Sequence, residues 1–185
     1  MNVSSELKKS KRALFLDRDG VLNVDKSYVH KVEDLELIEG VCQFLSDRAF
    51  NSFYKFIVTN QSGVARGLFD EDAVHIFIDE LISKLSLHGV IIDDVEISPY
   101  HFDKGVNDYK LHSLTRKPYP GMFLKLMFRH PIDLRSSFMI GDNLSDDIKF
   151  IQLQTIHLKG VYDLSSANAP VASSFSEIKD IIFNS

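Results

Sequence analysis

A single cysteine, Cys42, rules out an internal disulfide. Its place in an apolar helical segment marks it as a small buried hydrophobe. No stretch approaches the roughly 20 apolar residues that a membrane span needs. The opening MNVSSELKKSKR carries charge with no apolar run behind it, so no signal peptide is expected. Neither sign of charge dominates: 21 Lys and Arg stand against 26 Asp and Glu, for a formal net charge of −5 and a pI of about 5.8. That balance gives no general pull toward nucleic acid or anionic membrane, though it leaves room for a local basic pocket. Low-complexity tracts, internal repeats and interdomain linkers are also missing. What remains is a globular composition, 44% hydrophobic and 25% charged over 185 residues, long enough to bury one sizeable core. The expectation is one soluble, cytoplasmic domain over 1–185, with 1–11 as a flexible lead-in.

The hydrophobic pattern alternates between two periods. Ala13 to Leu16 is a short apolar run of the kind found in central parallel strands. A helix begins near Gly40, with Val41, Phe44 and Leu45 on one face. Tyr54 to Val58 reads as a strand that ends in Thr59-Asn60-Gln61-Ser62-Gly63. After Asp70, a candidate cap, Val74, Phe77, Ile78, Leu81, Ile82 and Leu85 form one helical stripe that Gly89 can end. Val95 and Ile97 alternate with acids, which predicts a strand with one wet face. Residues 98–118 show no period and read as a long loop, a length that is usually functional or disordered. Pro120 opens a helix to about Arg129. Ser137 to Ile140 is a strand stopping at Gly141-Asp142; a short helix, a strand near 155–158 and a helix near 175–183 follow. Strands alternating with helices predict an α/β, doubly wound, mainly parallel sheet. In such folds ligands bind beyond the carboxyl ends of the strands.

Three of those ends carry polar turns. In the stretch LFLDRDGVLN, Asp17 and Asp19 are two apart and so face one side of an extended segment. Asp142 arrives from another strand. Clustered carboxylates are costly unless a cation neutralises them. Hard oxygen ligands suit Mg²⁺, which keeps waters and binds phosphate. A carboxylate can also attack phosphorus and form an aspartyl-phosphate. Thr59 and Lys117 are placed to hold phosphoryl oxygens. Each signal is weak alone, since an Asp-x-Asp or Gly-Asp at a strand end is common. The four together, in order and each at a strand end or loop, carry the reading.

Quoted in order, FLDRDGVLN, TNQSGVARG, RKPYPGM and MIGDNLSDD resemble the four motifs of haloacid dehalogenase-type phosphatases. More narrowly the chain resembles the heptose bisphosphate and histidinol phosphatases, from about Ala13 to Asp147. The resemblance implies Asp17 as nucleophile and Mg²⁺ ligand. It implies Asp19 as general acid/base with a main-chain carbonyl on the metal, and Asp142 as a further Mg²⁺ ligand. Thr59 and Lys117 would stabilise the phosphoryl group. Asn60, Gln61 and Ser62, and the loop Asp25, Lys26, Ser27 and Tyr28, lie where the family contacts substrate. Arg116 matches the residue reading the far end of the substrate; a guanidinium suits a second phosphate because it binds two oxygens at once. Where the family carries a basic residue after its last Gly-Asp, this chain has Asn143. Asp146 and Asp147 are expected to support the loop or face solvent.

Zinc-bearing members of the family have Cys-Pro-His and Cys-x-Cys in the long loop. Here Ser98, Tyr100, Ser113 and Thr115 occupy those positions, and none is a usual zinc ligand. No structural zinc is expected, and His101 and His112 read as surface-loop histidines. The resemblance implies a nearly capless, monomeric Mg²⁺-dependent phosphatase of a small phosphorylated sugar. Its substrate would be heptose 1,7-bisphosphate, losing the 7-phosphate, in nucleotide-heptose synthesis for lipopolysaccharide or other surface glycans. Histidinol phosphate is the alternative substrate. No nucleic-acid or membrane partner is expected; a non-catalytic binding module is the reading from a different class.

Overall fold

The computed structural model describes residues 9–184. The expectation for 1–8 lies outside them. Lys11 donates its N–H to the Pro131 carbonyl at 2.9 Å and accepts from the Asp133 N–H at 2.9 Å, which ties the start of the described chain to the body.

Among the described residues six strands form one sheet, and every pairing within it is parallel. They are β1 (Ala13–Leu16), β2 (Tyr54–Asn60), β3 (Asp94–Ser98), β4 (Phe138–Gly141), β5 (Gln154–Leu158) and β6 (Val171–Ala172). The spatial order is β3-β2-β1-β4-β5-β6. The chain therefore builds outward from β1 to one edge, then returns beside β1 and builds to the other. That reversal opens a crevice beyond the carboxyl ends of β1, β2 and β4.

Side-chain alternation along the strands sorts the core into two layers. Leu14 and Leu16 of β1 face α1 (Val41–Leu45), α3 (Glu71–Ser86) and α5 (Phe175–Asn184), where Phe44, Phe77, Leu81 and Ile178 are buried. Ala13 and Phe15 face α4 (Gly121–Arg129), where the rings of Phe15 and Phe123 lie 4.9 Å apart. The predicted stripe of α3 is the buried one, and Asp70 caps it by accepting the Ala73 N–H at 2.8 Å. A one-turn helix, α2 (Ser62–Ala65), follows β2.

Three readings change. The acidic face of β3 is covered rather than wet: Glu96 is buried, and its carboxylate meets Lys125 at 3.2 Å and Arg129 at 2.8 Å from α4. The cause is tertiary, because α4 lies along β3 and supplies two cations that no local pattern announces. Cys42 is only partly buried against the core. The short helix after Asp142 is a single 3-10 turn, Leu144–Asp146. Ser98 closes β3, and 99–118 lacks regular structure apart from a 3-10 turn at Asn107–Tyr109. It docks on α2 through the Val106 N–H and the Ala65 carbonyl, 2.8 Å apart.

Candidate active site

β1 and β4 deliver the acids. The Asp17 N–H donates to the Ile140 carbonyl at 2.9 Å, so the sheet pairing runs directly into the site. The Lys117 ammonium is buried between two carboxylates, 2.8 Å from Asp17 Oδ2 and 2.6 Å from Asp146 Oδ1. Asp17, Asp142 and Asp146 each present an oxygen within 4.8 Å of the others. Burial, with Asp146 and Asp19 adding to it against Lys117, raises the Asp17 carboxyl to about 7. Burial, then Asp17 and Asp146, raises Asp142 to about 8. Burial depresses Lys117, but Asp146 and Asp17 outweigh it and hold the ammonium protonated.

This cluster has more negative charge than Lys117 neutralises. Asp146 uses both oxygens: Oδ1 meets Lys117, and Oδ2 accepts the Asn143 N–H at 3.1 Å. Asp142 Oδ2 is buried and has no hydrogen-bond partner among the described residues. A hard divalent cation fits between Asp17 and Asp142 on that ground. Asp146, fully buried, acts as the support the sequence suggested and does not face solvent. Asp147 instead pairs with His157 at 3.0 Å.

Asp19 is held separately. Arg18, with no exposed surface, turns back under the site and pairs with Asp19 at 2.7 Å while its guanidinium lies 4.5 Å from the Phe77 ring. Asn23 donates to Asp19 at 2.9 Å and Gln61 at 3.1 Å. Gln61 also donates to Thr59 Oγ1 at 2.9 Å, linking the ends of β1 and β2. Asn60 clasps the Lys117 backbone, donating to its carbonyl at 3.2 Å and accepting its N–H at 3.0 Å. Its amide therefore positions Lys117.

Two glycines make this packing possible. A Cβ on Gly20, whose φ is +77°, would sit 1.9 Å from Asp142 Oδ2. One on Gly141 would sit 2.1 Å from Asp146 Oδ2.

A cavity of about 320 Å³ opens over these groups, with Asp17, Asp19, Thr59 and Gln61 in its wall. Asn60, Ser62, Asp142 and Asn143 line it too, as do Asp25, Ser27, Tyr28 and Arg116 at the rim. Lys26 does not join them; it pairs with Glu36 at 3.0 Å on the surface. Asp25 spends both oxygens on the loop, accepting from the Ser27 N–H and the Tyr162 hydroxyl, each at 2.8 Å. A larger, mainly apolar hollow of about 650 Å³ lies behind Asp25 and Asp142 but reaches neither Asp17 nor Thr59.

Sequence reasoning missed Tyr162, Arg18 and Asn23. Tyr162 stands in an irregular stretch that carries no local signal. Arg18 and Asn23 lie inside the first motif, and their types alone hinted at partners for Asp19. At the four degenerate positions of the long loop, hydroxyls hydrogen-bond to one another. Thr115 Oγ1 is 3.2 Å from Ser98 Oγ and 2.7 Å from Ser113 Oγ, while the Tyr100 carbonyl accepts from Arg116 at 3.0 Å. His101 Nδ1 accepts the Asp103 and Lys104 N–H groups at 3.3 and 3.1 Å.

Comparison with known proteins agrees with this geometry. Residues 114–152 match the HAD-hydrolase-like family model. A Photorhabdus laumondii protein named D-glycero-beta-D-manno-heptose-1,7-bisphosphate 7-phosphatase is 36% identical over 173 residues, 94% of this chain and 90% of that protein. A crystal structure from Mesorhizobium loti, solved as a candidate HAD-like phosphatase, superposes with a TM-score of 0.83 at 30% identity, covering 94% of this chain and 85% of that one. The fold is shared with the D,D-heptose 1,7-bisphosphate phosphatase of B. bronchiseptica, solved with magnesium and phosphate. Its TM-score is 0.73 at 23% identity, over 94% of this chain and 98% of that one.

Proposed function

The chain belongs to the haloacid dehalogenase-type phosphatases, in the heptose bisphosphate phosphatase branch, and from that membership we propose that it removes the 7-phosphate of D-glycero-β-D-manno-heptose 1,7-bisphosphate. The observation that carries this reading is the Asp17–Lys117–Asp146 array at the carboxyl end of β1, with Asp142 Oδ2 beside it lacking a hydrogen-bond partner among the described residues.

Asp17 attacks phosphorus, the bond from phosphorus to the sugar oxygen breaks, and an aspartyl-phosphate forms. Asp19 gives its proton to the departing alkoxide, then takes one from the water that attacks the aspartyl-phosphate, releasing inorganic phosphate and restoring Asp17. Gln61, Asn23 and Arg18 orient Asp19 for both transfers. Lys117 and Thr59 face the phosphoryl oxygens, where charge builds in the transition state. A Mg²⁺ held by Asp17, Asp142 and the Asp19 carbonyl would neutralise charge between nucleophile and phosphate. Arg116, at the rim, takes the phosphate that stays on the sugar. The reaction belongs to nucleotide-activated heptose synthesis for surface glycans.

The test is phosphate release by metal-stripped protein with Mg²⁺ restored and no zinc added. The panel holds both heptose bisphosphate anomers, fructose 1,6-bisphosphate and histidinol phosphate, with Asp17→Asn as control. Selective turnover of the β anomer, lost in the control, is the expected result. Preference for histidinol phosphate, or near-native turnover by Asp17→Asn, would overturn the substrate or the covalent mechanism respectively.

A further inference from the structure

Arg66 is the penultimate residue of the second motif, TNQSGVARG, and has no part in the chemistry above. Its guanidinium lies 5.5 Å from the centre of the Tyr28 ring, and Tyr28 forms part of the rim of the catalytic cavity with Arg116. Arg66 Nε is buried and has no hydrogen-bond partner among the described residues. Arg116 donates to the Tyr100 carbonyl at 3.0 Å. Among the described residues neither arginine makes an ion pair.

The two cations feel each other. Burial, and after it the charge of Arg66, destabilises protonated Arg116, with Tyr28 acting the other way. Burial, then Arg116 and Arg66, holds the nearby His101 imidazole below its ordinary value, so it adds no charge at neutral pH. Two guanidinium groups gathered without a counter-charge are a cost in the free protein and an attraction for a dianion. The backbone supports the arrangement: Ser27 and Tyr28 are consecutive non-glycine residues at φ of 62° and 54°. Such strain marks a loop held in place for binding.

We propose that Arg66 is a specificity-determining residue, the second guanidinium of the subsite that grips the phosphate left on the sugar. This rests on the bisphosphate reading above. Arg116 approaches that phosphate from the long loop, and Arg66 approaches from the end of α2 with the Tyr28 ring beneath it. A substrate whose far end is neutral loses both contacts.

The experiment compares Arg66→Gln, Arg66→Lys and the parent protein on heptose 1,7-bisphosphate and heptose 7-phosphate. Removing one charge-assisted contact should lower the ratio of kcat/KM values, bisphosphate over monophosphate, by about tenfold or more. The loss should appear in KM, and lysine should restore part of it. A purely structural role on Tyr28 would depress both substrates equally and leave the ratio unmoved, which would overturn the inference while leaving the phosphatase reading intact. If neither heptose ester reacts, the substrate assignment fails instead. The ratio is then read as inhibition constants of fructose 1,6-bisphosphate and fructose 6-phosphate against p-nitrophenyl phosphate hydrolysis. An equal ratio in parent and Arg66→Gln again overturns the role of Arg66.

Discussion

Replacing Gly141 by alanine tests the packing that holds the lysine. The new Cβ would lie 2.1 Å from Asp146 Oδ2, 2.2 Å from its Cγ and 2.4 Å from its Cβ. Ordinary contact begins near 3.4 Å, so Asp146 must retreat by about 1 Å or more, of the order of the shifts that overpacking forces. It has nowhere to go without stretching the 2.6 Å contact to Lys117 and the 3.1 Å bond from the Asn143 N–H. Overpacking costs about 1–3 kcal/mol, and losing a hydrogen bond to a charged group costs about 1.5–3 kcal/mol. Together they predict roughly 3–5 kcal/mol, or roughly 6–20 °C in Tm for a domain of this size. Turnover should fall at least about tenfold, because Lys117 loses one of the two carboxylates that fix it. Urea unfolding at constant slope gives the first number, and p-nitrophenyl phosphate hydrolysis with Mg²⁺ gives the second. Adding Asp146→Gly removes the clash, so the double variant should be more stable than the sum of the singles yet stay slow. A Gly141→Ala protein with native stability and native turnover would refute the claim that this glycine keeps Asp146 against Lys117.

Three further outcomes follow from the structure. Asp17 and Asp142 have carboxyls raised to about 7 and about 8, above their unfolded values near 4. The folded state thus binds more protons than the unfolded state across that window, and metal-stripped protein should lose stability as pH rises from about 4 to about 8. Mg²⁺ competes with those protons, so its stabilising effect in a thermal-shift assay should be larger at pH 8 than at pH 5; an equal or reversed effect would place the cation elsewhere. The hydroxyl cluster suggests a gain-of-function variant: Ser98→Cys, Tyr100→His, Ser113→Cys and Thr115→Cys together should bind one zinc per chain by elemental analysis. Failure of the folded quadruple variant to bind zinc would mean that the long loop has lost the backbone shape of a zinc site.

The first motif singled out Asp17 and Asp19 as candidates, since a strand that ends in Asp-x-Asp aims both acids at one side, but only the four motifs together gave that signal weight. The motif order singled out Thr59, Lys117 and Asp142 as candidates, and the alternation of periods predicted the parallel α/β sheet that the structure has. These features are local: a strand's period, a helix's cap and a turn's glycine are all written within a few residues of where they act. The tertiary structure decided what those residues touch. It assigned Lys117 to a place between Asp17 and Asp146, from segments far apart in the chain. It used Asn60 as a clasp on Lys117, tied Asp25 to Tyr162 across 137 residues, and left Lys26 on the surface. It also covered Glu96 with α4 and brought Arg66 beside Tyr28. Ion pairs and cavity walls of this kind depend on which elements become neighbours, and a chain fixes that only when the two faces of its sheet find the helices that bury them.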